Sequence, residues 1–113
     1  MKTKLIVGAF SLFGALAFAP LAQAADADAA QALAKKEGCL KCHAIDKKKE
    51  AKSFTDIGKK YAGKGDAEAK LLHHITSGEK VKMEDGTEED HKIIKTKDVA
   101  EQKNLIAWIL SLK

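Results

Sequence analysis

Two cysteines with two residues between them, followed at once by a histidine, are the side chains best equipped for chemistry: Cys39-Leu40-Lys41-Cys42-His43. The chain has no other cysteine. A disulfide between these two would close a tiny loop and constrain almost nothing, so the pair is not a structural staple. Such close pairs serve thiol redox exchange, metal binding or haem attachment. A thioredoxin-like redox pair belongs in a βαβ context, and no strand pattern surrounds this one. A zinc site needs two further ligands at suitable spacing, and no second Cys pair exists. Haem attachment needs nothing more than the five residues present. Two thiols at this spacing reach the two vinyl groups on one porphyrin edge, and the adjacent imidazole turns under the ring to bind iron. The expectation is one covalent haem c, held by Cys39 and Cys42, with His43 as the proximal iron ligand. Gly38 relieves crowding where the preceding helix gives way to this turn.

Where such chemistry takes place follows from the start of the chain. Met1-Lys2-Thr3-Lys4 is short and positive, residues 5–25 carry no charge, and Ala22-Gln23-Ala24 is a small-x-small site. These parts in this order predict a secretory signal peptide over residues 1–24, leaving an exported domain of residues 25–113. A retained membrane anchor is the competing reading, since the uncharged run approaches the length of a span. Its Ala and Gly content, Pro20 and the cleavage site favour removal.

Removing that segment changes the composition. The whole chain of 113 residues has 20 Lys, no Arg, 16 acidic residues, a net charge of +4 and 45% apolar residues. The remaining 89 residues keep 18 Lys and all 16 acids, a net charge of +2, with about 39% apolar residues and Phe54, Tyr61 and Trp108 as the only aromatics. A domain this short buries about two-thirds of its unfolded surface. Three aromatics make a thin core, so a large apolar cofactor has room to fill it.

The elements that must position the motif read as helices. Ala29, Ala30, Leu33 and Ala34 recur at helical spacing, predicting a helix over 26–37 that ends at Gly38. Residues 44–53, with Lys47-Lys48-Lys49, read as an irregular solvated loop. Phe54, Ile57 and Tyr61 form one stripe on a short helix, broken at Gly63-Lys64-Gly65. Asp66 reads as the N-cap of a helix through Ser77 carrying Leu71, Leu72 and Ile75, with Gly78 closing it. Residues 79–97 are polar without a sustained period. Asp98-Val99-Ala100-Glu101 resembles a capping box opening a last helix with Leu105, Ile106, Ile109 and Leu112.

On these residues the chain from 25 onward resembles a small bacterial class I cytochrome c. The resemblance rests on the Ala-rich first helix, residues 39–46, the run from Phe54 to Gly63, Ala67 to Leu72 before Ile75-Thr76-Ser77-Gly78, and the closing Leu105 to Leu112. It implies an all-α fold, the class I cytochrome c fold, with about four helices around one covalently attached haem. The first and last helices cross, and Phe54, Ile57, Tyr61 and Leu71 become haem-pocket candidates. It also implies periplasmic electron transfer, not catalysis on a substrate.

Two departures from the family stand out. Most members carry Gly-Pro after the haem motif, whose carbonyl orients the proximal imidazole; here the matching residues are Ala51-Lys52. The family's distal Met followed by Pro is also missing, because Met83 precedes Glu84-Asp85. Candidates for the sixth ligand are therefore His91, Met83, His73 and His74. In the family the ligand stands about 16–17 residues before the closing-helix Trp. His91 lies 17 before Trp108 and 7 before Asp98, whereas Met83 lies 25 before Trp108. This register favours His91, with Met83 as the alternative that a flexible loop would allow. An open or water-bound site is a further alternative. His74 matches a family position near a haem propionate.

With imidazoles on both sides, low-spin six-coordinate iron has no vacant site and changes ligands little on gaining an electron. The expectation is a monomeric, non-enzymatic one-electron carrier serving redox-partner proteins in the periplasm and meeting the membrane only transiently through redox complexes. It has no small-molecule substrate. Export and the small charge of the domain exclude nucleic acid as a partner. The alternative is a ligand-binding haem protein, a gas sensor or weak peroxidase, with a labile distal ligand.

Overall fold

A computed structural model describes residues 24–113 together with Gly8 and Gly14. The expected leader, residues 1–24, otherwise lies outside the described residues. Within them no helix is long and apolar enough to cross a membrane.

Four helices carry the fold: α1 (Ala27–Lys36), α2 (Phe54–Tyr61), α3 (Ala67–Thr76) and α4 (Val99–Ser111). Helix α4 is central, and each of the other three packs on it. Ala30 and Ala34 are fully buried, and side chains this small let the α1 backbone come close to its neighbour. The start of α1 is pinned to α4 by Asn104, which accepts from Asp26 N and donates to Asp26 O, both at 2.9 Å. Helix α2 makes a closer approach through Gly58, where a Cβ would lie 2.5 Å from the carbonyl oxygens of Ile109 and Leu112. Leu105, Ile106, Trp108 and Ile109 of α4 form the floor of the core, joined by Leu33, Phe54, Leu71, Ile75 and Ile94.

The caps agree with the sequence in outline and differ in detail. Asp26 caps α1 by accepting from Ala29 N at 3.0 Å. Ser53, a buried residue, caps α2 through Asp56 N. Asp66 stands at the start of α3 without a side-chain cap bond; its carboxylate pairs with Lys70 one turn on, at 3.0 Å. Asp98 accepts from Ala100 N and Glu101 N, but the return half of the capping box is absent. Glu101 accepts instead from the Thr96 hydroxyl at 2.7 Å, and that hydroxyl accepts from Asp98 N.

The segment 79–97, without a period in sequence, contains a hairpin. Strand β1 (Lys80–Lys82) pairs antiparallel with β2 (Glu88–Asp90), placing Lys80 opposite Asp90 and Lys82 opposite Glu88. Opposite charges across the ladder set this register where apolar alternation cannot. Lys80 and Asp90 meet at 3.0 Å. The loop 44–53 is also more ordered than a solvated reading implies. Lys48 pairs with Glu84 at 2.7 Å, Lys49 donates to Leu40 O at 2.8 Å, and Glu84 N donates to Glu50 O at 3.2 Å. The hairpin is thereby tied to the loop that follows the Cys pair.

Candidate haem site

Helix α1 ends at Glu37, and Gly38 takes a left-handed conformation, φ +78°. A side chain at Gly38 would be strained and would also meet Lys92 Nζ at 2.9 Å. The chain then closes a single 3-10 turn over Cys39–Lys41, with Cys42 N and His43 N both donating to Cys39 O. This turn places Cys39, Cys42 and His43 on the wall of one cavity of about 660 Å³, a size suited to a bound organic cofactor. Phe54, Ile57, Tyr61, Leu71, His74, Met83 and His91 line the same cavity. His73 does not: it faces out from α3 and is more exposed than His74.

Both thiols are free, and burial raises the pKa of each; the neighbouring Glu37 adds to the effect at Cys39 and a contact with Glu50 at Cys42. They are protonated at neutral pH, unlike the depressed thiols of disulfide oxidoreductases. This disfavours thiol redox exchange.

His43 is oriented from behind. Its Nδ1 lies 2.6 Å from Lys52 O, and because a carbonyl only accepts, Nδ1 carries the proton and Nε2 keeps its lone pair. Lys52 thus fills the role left open by the missing Gly-Pro. The ring stacks on Phe54, centroids 5.1 Å apart at 21°, and Phe54 meets Trp108 edge-on at 5.6 Å. Burial lowers the His43 pKa, so the imidazole is neutral, as metal binding requires.

Across the cavity stands His91, its centroid 6.3 Å from that of His43 and its plane tilted by 47°. Its backbone N donates to Glu79 O at 2.9 Å, closing the base of the hairpin. The seven residues between Met83 and His91 are taken up by the turn and by β2, so the hairpin absorbs the extra length ahead of His91. Burial, then the neighbouring His74 and His43, push the His91 pKa down to about 4. Its Nδ1 is shut off from solvent with no hydrogen-bond partner among the described residues, an uncommon state for a buried polar atom.

His74 lies against His91, centroids 3.9 Å apart and planes tilted by 41°, and its Nδ1 meets Glu79 Oε1 at 2.7 Å. The acidic partner expected from a propionate is, at this nitrogen, supplied by the chain itself. Sequence reading did not single out Glu79 or Glu37, because each acts through a contact that only the folded chain creates.

Two neutral imidazoles facing one apolar cavity beside a free Cys pair define a helical protein built to hold a covalently attached haem, and the donor set fits that group. The comparisons with known proteins agree. The family model for cytochrome c matches residues 27–113, and the chain belongs to the cytochrome c family. Its relatives include cytochrome c-552 of Hydrogenobacter thermophilus, 37% identical over 72% of this chain and 79% of that protein. Cytochrome c2 of Rhodocyclus tenuis is 36% identical over 73% of this chain and 90% of its own length. Cytochrome c-551 of Pseudomonas aeruginosa is 43% identical, but the match covers 51% of this chain and 56% of that protein. Among solved structures, the class 1 cytochrome MtoD from Sideroxydans lithotrophicus superimposes with a TM-score of 0.75 at 54% identity, covering 79% of this chain and 98% of that one. Cytochrome c552 of Nitrosomonas europaea gives 0.58 at 31% identity over 74% and 99%. The chain is a small class I monohaem cytochrome c, a haem-based electron carrier with one covalently attached haem c.

Proposed function

We propose that this chain is an exported, periplasmic one-electron carrier whose haem is bonded to Cys39 and Cys42 and whose iron is held by His43 and His91. The observation that carries the ligand assignment is the separation of the two rings, 6.3 Å between centroids. Two imidazole nitrogens bound on opposite sides of one metal at about 2 Å, each about 1.1–1.2 Å from its ring centroid, put the centroids about 6.3 Å apart. The match supports a shared iron, and the register of His91 against Asp98 and Trp108 supports it independently.

Bound haem supplies a one-electron couple. Everything else is done by the chain. Lys52 O holds the Nδ1 proton of His43 and so aims the other nitrogen. His91, facing His43 across the cavity, would hold the iron from its other side. Phe54, Leu71, Ile75 and Ile94 line the cavity with buried apolar side chains. Imidazole in place of thioether favours the ferric state, so the reduction potential lies below that of a Met-ligated relative. Both thiols serve attachment, and no residue here has the role of an acid, base or nucleophile in turnover.

The test uses two variants of the haem-loaded protein. His91→Ala should convert the oxidised spectrum from low-spin to high-spin and open the iron to cyanide, while Met83→Ala leaves both unchanged. The opposite pattern would make Met83 the ligand. Fast CO or cyanide binding by the unaltered protein would favour a ligand-binding role over a carrier. Processing at Ala24 is checked by the N-terminal sequence of the periplasmic protein.

A further inference from the structure

Glu37 is the only buried carboxylate among the described residues, 2% exposed, and it belongs to no motif used above. It ends α1 two residues before Cys39, yet its side chain acts 58 residues further along. Oε2 accepts from Lys95 N at 2.6 Å and Oε1 from Thr96 N at 3.2 Å. These amides lie in the stretch that links His91 to α4. Other bonds hold that stretch: His91 N to Glu79 O, Ile94 N to Ile75 O, the Gln102 side chain to Thr96 O and the Thr96 hydroxyl to Glu101. All of these run to α4 or to α3 and the residues just after it. Glu37 alone ties the stretch to the side that carries the Cys pair.

We infer that Glu37 is a positioning residue, a buried carboxylate clamp that fixes the segment bearing His91 against the attachment turn and so sets how readily the distal ligand leaves the iron. The inference rests on the His91 assignment proposed above. Three physical points carry it. Both carboxylate oxygens are engaged by main-chain donors, and bonds to an ionised acceptor are about twice as strong as neutral ones. The two segments also meet where Gly38 faces the end of the Lys92 side chain, a flexible contact that leaves the Glu37 bonds as the firm link between them. Finally, Glu37 lies on the cavity wall, and a negative charge there favours oxidised iron, which holds the reduction potential down.

The near-isosteric Glu37→Gln tests this. An amide offers one oxygen where the carboxylate offers two, so one main-chain N–H then faces an NH₂ group. In the haem-loaded protein the variant should stay low-spin at rest, bind cyanide at least about tenfold faster, and show a higher reduction potential; Glu37→Ala should exceed it in rate. Asn104→Ala, which loosens the far end of α1, is the control for general destabilisation and should leave the cyanide rate and the potential unchanged. An unchanged cyanide rate in Glu37→Gln, or an equal rise in Asn104→Ala, would overturn the clamp. Should neither Glu37 variant take up haem, hydrogen exchange in the unaltered protein decides: protected amides at Lys95 and Thr96 support the clamp, and freely exchanging ones contradict it. His91→Ala, measured alongside, separates the two claims. If it leaves spectrum and cyanide rate unchanged, the ligand assignment fails and the clamp with it. If it opens the iron while Glu37→Gln does nothing, only the clamp fails.

Discussion

His43 owes its usable lone pair to a main-chain oxygen and its ring plane to Phe54. Because Lys52 acts through its carbonyl, the identity of its side chain is immaterial to ligation: Lys52→Ala should leave the oxidised low-spin spectrum unchanged. Phe54→Ala removes the stacking partner and a core ring at once, and should cost about 3–5 kcal/mol by chemical denaturation. Protons and iron compete for the same nitrogen of His91. The pKa of the unbound ring in this cavity is already down to about 4, against 6.5 ordinarily, and iron can only lower it further. An unfolded ring takes up its proton near 6.5 and the folded one much later, so stability falls as pH drops below about 6.5 and any acid release of the ligand comes below about 4. A spectrophotometric titration should therefore hold the low-spin form through pH 5, with high-spin iron emerging only in stronger acid. At this scale spacing marked Cys39, Cys42 and His43, and register to Asp98 and Trp108 marked His91, and the fold brings all four to one cavity. The resemblance placed Ala51-Lys52 where the orienting carbonyl belongs; Glu79 and Glu37 went unmarked, because an isolated acid in sequence looks solvated.

Helices were readable as elements wherever apolar residues recur at helical spacing, and α1, α2, α3 and α4 all stand where that spacing puts them. The hairpin escaped because Lys80-Val81-Lys82 and Glu88-Glu89-Asp90 show no apolar alternation; their pairing is specified by complementary charge between strands and becomes visible only once the register is known. Tight crossings are equally silent in sequence. Gly58 looks like a weak point inside a helix, yet it is what admits α2 to the carbonyl ends of α4. Gly58→Ala should destabilise the protein by about 1–3 kcal/mol, since backbone must shift to accept the methyl group. Asp98→Ala, which strips α4 of its cap, should cost about 1 kcal/mol. Denaturant midpoints of the haem-loaded variants check both, and an unchanged midpoint in Gly58→Ala would contradict the packing described here.

As a whole molecule, the domain is organised around space that its own side chains do not fill. Phe54, Trp108 and the aliphatic residues of α4 form one wall, the attachment turn and the hairpin form others, and the cavity of about 660 Å³ between them is where a larger core would be. Haem binding and folding are therefore coupled. Produced without haem, for instance as Cys39→Ser with Cys42→Ser in a host lacking haem attachment, the chain should lose its near-ultraviolet circular dichroism and keep only part of its helical signal. A fully native apo spectrum would contradict that coupling. The composition already hinted at this arrangement, since 89 residues with three aromatics promise a thin core, though not where the gap would lie.

Paired imidazoles on one iron are the centre of this description, and the low-temperature EPR spectrum of the oxidised protein, taken with its optical spectrum, reads them most directly. Ligation by His43 and His91 predicts a low-spin ferric signal of the bis-imidazole type with no methionine-to-iron charge-transfer band. A charge-transfer band of that kind, lost in Met83→Ala and retained in His91→Ala, would contradict it.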